Sequence, residues 1–399
     1  MDISEIIFVS LAPILYNFIF ILLWVLWFVY HKEEEDQRIH RLFKKYLGDD
    51  RVFYIITGFF ILGFLYLLFS YAIYNTDVDD AITTAVQAFL DGYNPYAEDV
   101  VEHHNLINGI PTTVLGRYHY FPPDLLIYSF FYLLTGNILF PILGTYWFVP
   151  LHLLLLIPGY LIVVKIVDWP HKRCLPFYIL LTTPFLFTNS MLMLFFFLLG
   201  YYFYEIKEQH SLGMTFYVMA ASVKYMVGFI IVFYFVQMIR ELFRKAITPD
   251  DWRLISKKFA PYVISSCVLG LVSLPFGLIN VIISVFAYQG LTSLRGEVAQ
   301  SVGPLLIEIL KIFSLEELFY LPLVIIIVFI AFVILWNKDT YEQILHFSLF
   351  SMLILPFYAT ELFITIPFYF WFKEGQKTSI LEEDIKDLDL NPSSPHQQS

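Results

Sequence analysis

Along the chain, apolar residues come in long unbroken blocks, with polar residues confined to the breaks between them. No Asp, Glu, Lys or Arg occurs in 6–30, 52–74, 125–164, 174–204, 259–294 or 318–337, and 211–239 contains only Lys224. About 20 apolar helical residues cross the roughly 30 Å of hydrocarbon in a bilayer, so the longest blocks hold two crossings each. The blocks lack the period-two alternation of an outer-membrane barrel. The pattern predicts an all-α polytopic membrane protein with about 11–12 transmembrane helices.

Two of the breaks, 75–119 and 288–317, are too long to be simple connections, because long loops usually carry structure or function. In the first, "YNTDVDDAITTAVQAFLDGYNPY" (Tyr74 to Tyr96), Ile82, Val86 and Phe89/Leu90 recur at helical spacing. Asp79 or Asp80 is well placed as the N-cap. Such a helix would lie on the outer interface, its apolar face in lipid or against the bundle. Gly92 is expected to end it, "GYNPY" to turn the chain, and a second short helix to follow near Ala97–Asn108. "LGRYHYFPPDLL" then returns the chain to the membrane, with Pro122–Pro123 suited to the first turn of the next helix.

Composition and charge refine this picture. Hydrophobic residues make up 58% of the chain and charged ones 15%, which fits a membrane protein. The net charge of -11 resides in loops and tail and argues against a nucleic-acid surface. Two cysteines, Cys174 and Cys267, are too few for a disulfide framework. Lys and Arg in short loops set orientation. Six fall in 31–51, six in 240–258 and three in 165–173, which marks these segments as cytoplasmic. Loop 75–119 holds one basic residue against seven acids and is expected outside, as is the N-terminus.

Full crossings by both Tyr120–Ile138 and Leu143–Val164 would place 165–173 outside. Either one of them is a partial, re-entrant element, with Pro122–Pro123 and Pro158–Gly159 as break points, or the weak charge signal of 165–173 does not report its side. Segment 211–239 similarly calls for a short hairpin with Lys224 near its middle. The block 6–30 follows Asp2 and Glu5 and precedes no small-residue cleavage pattern, so it reads as a retained span. The tail after Phe372 is polar and expected to be disordered.

Asp77, Asp79 and Asp80 are the first candidates for chemistry. They fit two readings: solvated loop acids that cap a helix, or a carboxylate cluster at the outer membrane face. Such a cluster could take a proton from a hydroxyl or hold a divalent cation, since clustered carboxylates raise one another's pKa. Lys224, within "MAASVKYMVGF", is costly in a membrane unless it snorkels to an interface, is paired, or lines a polar cavity. There it could bind a lipid-borne phosphate and stabilise it as a leaving group. Arg117 and His119 are further phosphate or sugar ligands, and Tyr118 and Tyr120 suit an aromatic belt or sugar stacking. Asp124 reads as a helix-terminus acid. Gln289, Arg295 and Glu297 in the second long loop are either solvated or gripping an acceptor. Glu361 fits a buried structural hydrogen bond as well as substrate binding. No phosphate-cradling Gly-rich loop or dinucleotide fingerprint occurs, and His103–His104 reads as loop.

The order of these features carries a resemblance. An acid after an early span, "AFLDGYNPY", "YHYFPPD" opening the next span and a Lys after "MAAS" in a later helix resemble the membrane-embedded C-fold glycosyltransferases that use polyprenyl-phosphate sugars. The prokaryotic branch related to α-1,2-mannosyltransferases is the nearest in pattern. The resemblance covers roughly residues 52–240. It implies a glycosyltransferase module at 51–240, preceded by an extra span and cytoplasmic loop at 1–50. Variable C-terminal helices (241–372) and a polar tail (373–399) follow.

The implied function is inverting transfer of a hexose, mannose first, from a polyprenyl- or dolichyl-monophosphate sugar to a lipid-linked or surface glycan acceptor. Asp79, then Asp80 and Asp77, would be the base, while Lys224, Arg117 and His119 stabilise the leaving phosphate. Tyr96, Tyr118, Tyr120, Gln289, Arg295, Glu297 and Glu361 would contact substrate. No cofactor is required, although the Asp77/Asp79/Asp80 cluster leaves room for a divalent cation. The implied setting is a monomer in a prokaryotic plasma membrane, archaeal included, with its site facing outward. The competing reading, a lipid or small-molecule transporter or flippase, would favour repeated halves and charges along a midplane path.

Overall fold

The computed structural model describes residues 77–107, 110–167, 174–175, 178–179, 182, 186, 188–224, 227–244 and 252–285. The blocks 6–30, 52–74 and 318–337, the loop residues Gln289, Arg295 and Glu297, Glu361 and the polar tail lie outside the described residues.

The first described element is helix α1, Asp77–Leu90. Asp79 and Asp80 therefore sit inside the helix, where the sequence suggested a cap ahead of it. Of the two surroundings expected for its apolar face, α1 uses the protein. Ala81, Ile82, Ala85 and Val86 are fully buried. The Trp147 indole N–H donates to the Thr83 hydroxyl (3.0 Å) and the Gln87 amide donates to the Tyr132 hydroxyl (3.3 Å). Gly92 ends the helix as expected: at φ +91 its N–H reaches Phe89 O (3.1 Å), and the next N–H, from Tyr93, reaches Ala88 O (3.0 Å). That pair of bonds is a Schellman closure, which needs the left-handed conformation glycine adopts freely.

The helix expected near Ala97–Asn108 is a hairpin instead. Strands β1 (Val101–Ile107) and β2 (Ile110–Gly116) pair antiparallel, Val101 opposite Gly116 and Ile107 opposite Ile110. The chain is thus mostly helical, but not all-α. The reason is local. The two residues between the strands are Asn108 and Gly109, the pair most favourable to a tight hairpin turn, and β-branched Ile107 and Ile110 flank them. The hairpin docks on α1 through the Glu102 N–H, which donates to the Thr84 hydroxyl (3.0 Å).

Helix α2, Pro122–Leu143, carries both prolines in its first turn, where a missing N–H costs nothing. A 3-10 turn, Gly144–Phe148, begins at a glycine with φ +59 and leads into α3, Val149–Ile166. The turn lays Trp147 against Tyr132, with ring centroids 4.8 Å apart. Together Pro122–Ile166 make a 45-residue apolar stretch. This stretch and Ile255–Phe276 are the two among the described residues that are long and apolar enough to cross a membrane. Leu133, Leu134, Ile138 and Ile142 of α2 are 65–72% exposed. Leu134, Ile138 and Ile142 recur every four residues with Leu133 beside them, an apolar stripe of the kind that needs a lipid or protein partner.

Helix α4, Ser190–Tyr201, runs into a π-turn, Tyr202–Ile206. The hairpin expected within 211–239 is present: α5 (His210–Val223) ends at Lys224, and α6 (Gly228–Arg244) packs back on it, with the Tyr217 and Tyr234 rings 6.0 Å apart. Helix α7, Trp252–Ser273, packs on α5 and leads through a 3-10 turn, Leu274–Phe276, to helical residues 278–285. Close approach fixes α4 and α5 in register. A Cβ on Gly213 would stand 2.5 Å from the Tyr204 backbone nitrogen, so no larger residue fits there.

Candidate functional site

The strap that returns the chain to the bundle, Tyr118 to Phe121, is tied on several sides. Its Tyr118 N–H donates to Pro95 O (2.7 Å), and the Phe121 N–H donates to Ser222 O (3.2 Å). The Tyr96 hydroxyl donates to Tyr120 O (2.8 Å), and the Ser284 hydroxyl donates to Tyr118 O. "GYNPY" serves this strap. Asn94 accepts the Tyr96 N–H on its side-chain oxygen (3.1 Å) and donates from its amide nitrogen to Phe276 O (2.9 Å). One short motif thus joins the segment after α1, the start of α2 and the 3-10 turn that follows α7.

These ties bring Tyr96, Tyr118, His119, Tyr120 and Lys224 together. Tyr96 and Tyr118 are fully buried and meet edge to face at 5.8 Å. Burial first, and the nearby Asp124 carboxylate second, hold both phenols well above the ordinary phenol range, so they stay protonated donors. His119 is buried, its ring 4.1 Å from Tyr120 and 5.1 Å from His103. The ammonium of Lys224 stands 5.1 Å from the centre of the Tyr120 ring, a cation–π arrangement. Lys224 occupies the point where α5 stops. Its backbone is extended (φ -141, ψ 109), so the half-buried cation lies at a hairpin tip instead of mid-helix.

Beside that cation the structure places an acid and an amide that the sequence did not single out as site residues. Asp124, in the first turn of α2, is fully buried. The Tyr118 hydroxyl donates to Asp124 Oδ2. Asn189 is also fully buried, and its side-chain amide is the second hydrogen-bonding partner of the Asp124 carboxylate. It precedes Ser190 at the start of α4 without capping the helix through its side chain. The amide faces Asp124 closely enough to bias the carboxylate, as does the Lys224 ammonium. "FPPD" was a usable signal for Asp124, because the two prolines set its helical phase. Nothing local marked Asn189.

One turn further along α2 the Tyr128–His152 pair is closed. The Tyr128 hydroxyl donates to His152 Nε2 (2.7 Å), and His152 Nδ1–H donates to Leu186 O (2.7 Å). Both ring nitrogens are thereby engaged and the tautomer is set.

The remaining expected residues lie elsewhere. Arg117 is paired at the surface with Asp99 (3.3 Å), both more than a third exposed, whereas it was expected to hold phosphate. Asp80 is half-buried in the first turn of α1. The divalent-cation site considered for Asp77, Asp79 and Asp80 is not upheld: among the described residues no group of three His, Cys, Asp or Glu could hold a metal ion. Helical geometry accounts for this. At about 100° per residue, position 79 falls about 160° from position 77 and about 100° from position 80, so the three acids do not share one face of the helix.

No family model, no curated protein and no solved structure matches the chain.

Proposed function

We propose that the protein is a membrane-embedded glycosyltransferase that moves a hexose, mannose first, from a polyprenyl- or dolichyl-monophosphate sugar to an acceptor hydroxyl at the outer membrane face. The observation that carries this reading is the half-buried Lys224 at a hairpin tip, its charge against Tyr120 and near the buried Asp124 carboxylate. A cation in that position suits the phosphate of a lipid anchored in the surrounding apolar layer. The exposed apolar stripe of α2 supports a membrane setting.

In the proposed step the acceptor oxygen attacks the anomeric carbon and loses its proton to an aspartate of the first turn of α1, Asp79, Asp80 or Asp77. The bond from the anomeric carbon to the phosphate oxygen breaks, and the lipid phosphate leaves with the electron pair beside Lys224. A single displacement inverts the anomeric centre. The test is transfer of labelled mannose from dolichyl-phosphate mannose by the purified chain, with Lys224→Ala and the Asn variants of the three aspartates. Loss of transfer in Lys224→Ala and in one aspartate variant is expected. Wild-type turnover in all four would end the assignment.

A further inference from the structure

We propose that Lys165, Tyr202 and Lys207 bind the headgroup phosphate of an anionic phospholipid, at the opposite end of α5 from Lys224. The site takes from the reading above only its membrane setting and is independent of sugar transfer. Lys224 ends α5, whereas Lys207 stands just before its start. A 14-residue helix is about 21 Å long, so the two cationic places are well separated along the bundle.

The Lys165 and Lys207 ammoniums stand 5.9 and 5.6 Å from the centre of one ring, that of the half-buried Tyr202. Both lysines are exposed, and neither forms an ion pair with a described residue. The acids nearest in sequence do not neutralise them. Glu205 accepts the Tyr234 hydroxyl, and Glu208 is exposed with a left-handed backbone (φ 54). Bringing the two cations together takes an irregular backbone. In an α-helix position 207 would fall about 140° round the axis from position 202. The π-turn Tyr202–Ile206 closes instead with the Lys207 N–H on Tyr202 O (3.0 Å), an i→i+5 bond that carries Lys207 back over the Tyr202 ring. The second cation comes from a distant element, the last turn of α3.

The groups present select phosphate. Ammoniums only donate hydrogen bonds, the Tyr202 phenol adds a further donor, and ionised phosphate oxygens only accept. The apolar side selects a lipid over a free anion. Leu153, Leu154, Ile157 and Leu161 are exposed on α3. Ile157, Leu161 and Lys165 follow at intervals of four residues, so the lysine continues the same face of the helix. Lys165 is the one Lys or Arg in the apolar stretch Pro122–Ile166 and stands at its end. A bed for acyl chains thus leads to a pair of cations, the order in which a phospholipid presents chain and headgroup. A zwitterionic headgroup would bring its own cation beside these two, which favours an anionic one.

The test places the full chain in phosphatidylcholine nanodiscs holding a trace of photoreactive lipid, and locates labelled peptides by mass spectrometry. Two probes share one diazirine acyl chain and differ in headgroup, phosphatidylglycerol or phosphatidylcholine. The phosphatidylglycerol probe is expected to label 153–166 and 202–207 more strongly than its partner. Lys165→Gln and Lys207→Gln should each lower that labelling about fivefold, and the double variant about 25-fold. Lys165→Arg, which keeps the charge, should retain it. Equal labelling by the two probes in wild type, or wild-type labelling in the double variant, overturns the site. Labelling that excess inorganic phosphate abolishes, and sodium chloride of equal ionic strength does not, assigns the cations to a free anion and overturns the lipid. A chain that does not enter the nanodiscs defeats the membrane setting itself, and the site falls with it.

Discussion

The helix that starts at Ser190 and closes in the π-turn at Ile206 has polar clusters at both ends, and they are built differently. At its start the fully buried Asp124 carboxylate meets the Tyr118 hydroxyl and the fully buried Asn189 amide. At its far end Glu205 accepts the Tyr234 hydroxyl, and nearby Glu241 accepts from Lys258. Glu205 is half-buried and Glu241 exposed. The π-turn itself is closed by the Lys207 N–H to Tyr202 O (3.0 Å). The two clusters thus differ in burial: an acid taken fully out of water depends on its protein partners far more than one that water still reaches.

The largest effect expected from this contrast is on activity. Lys224→Ala should reduce mannose transfer from dolichyl-phosphate mannose by about 100-fold or more, with helical content by circular dichroism unchanged. Retained transfer would mean that the buried cluster holds no donor phosphate.

Stability comes next. Tyr118→Phe removes one of the donors to the fully buried Asp124 carboxylate, at a cost of about 2–3 kcal/mol in unfolding measurements. Combining it with Asp124→Leu should recover much of that loss, because the buried carboxylate is removed as well. At the far end Tyr234→Phe should cost about 1 kcal/mol and leave transfer intact. A larger effect on transfer than on stability there would erase the distinction between the two ends.

Alkaline titration probes the same site through its phenols. Tyr96 and Tyr118 are held above the ordinary phenol value by burial and by Asp124. Their contribution to stability is complete below about pH 10 and is lost as pH rises from there through the folded-state values. The unfolded chain releases those protons first, which favours unfolding. Tyr96→Phe should flatten that decline, as followed by thermal unfolding between pH 9 and 11. The smallest effect is expected from Lys258→Ala. Its pair with Glu241 is partly exposed, so the loss should stay within about 0–1 kcal/mol.

Much of the frame was legible beforehand because it depends on local patterns. Ile82, Val86 and Gly92 announced an amphipathic helix and its end. Pro122–Pro123 announced the start of α2, and Lys224 marked a break in an otherwise uniform apolar block. The hairpin at 101–116 carried its own local signal, Asn108–Gly109, which the helical reading overlooked. The acids of α1 misled in a different way: closeness in sequence suggested a metal cluster, but a helix turns neighbouring residues to different sides.

What the sequence determined by itself was the apolar framework, the helical periods and the punctuation by glycine, proline and a lone lysine, all set by interactions within a few residues. Only the tertiary structure decided that Asp124 and Asn189, 65 positions apart in number, share one buried place beside Lys224. It also decided that Arg117 turns away to Asp99. Burial and pairing depend on which distant surfaces meet, and no local period encodes that.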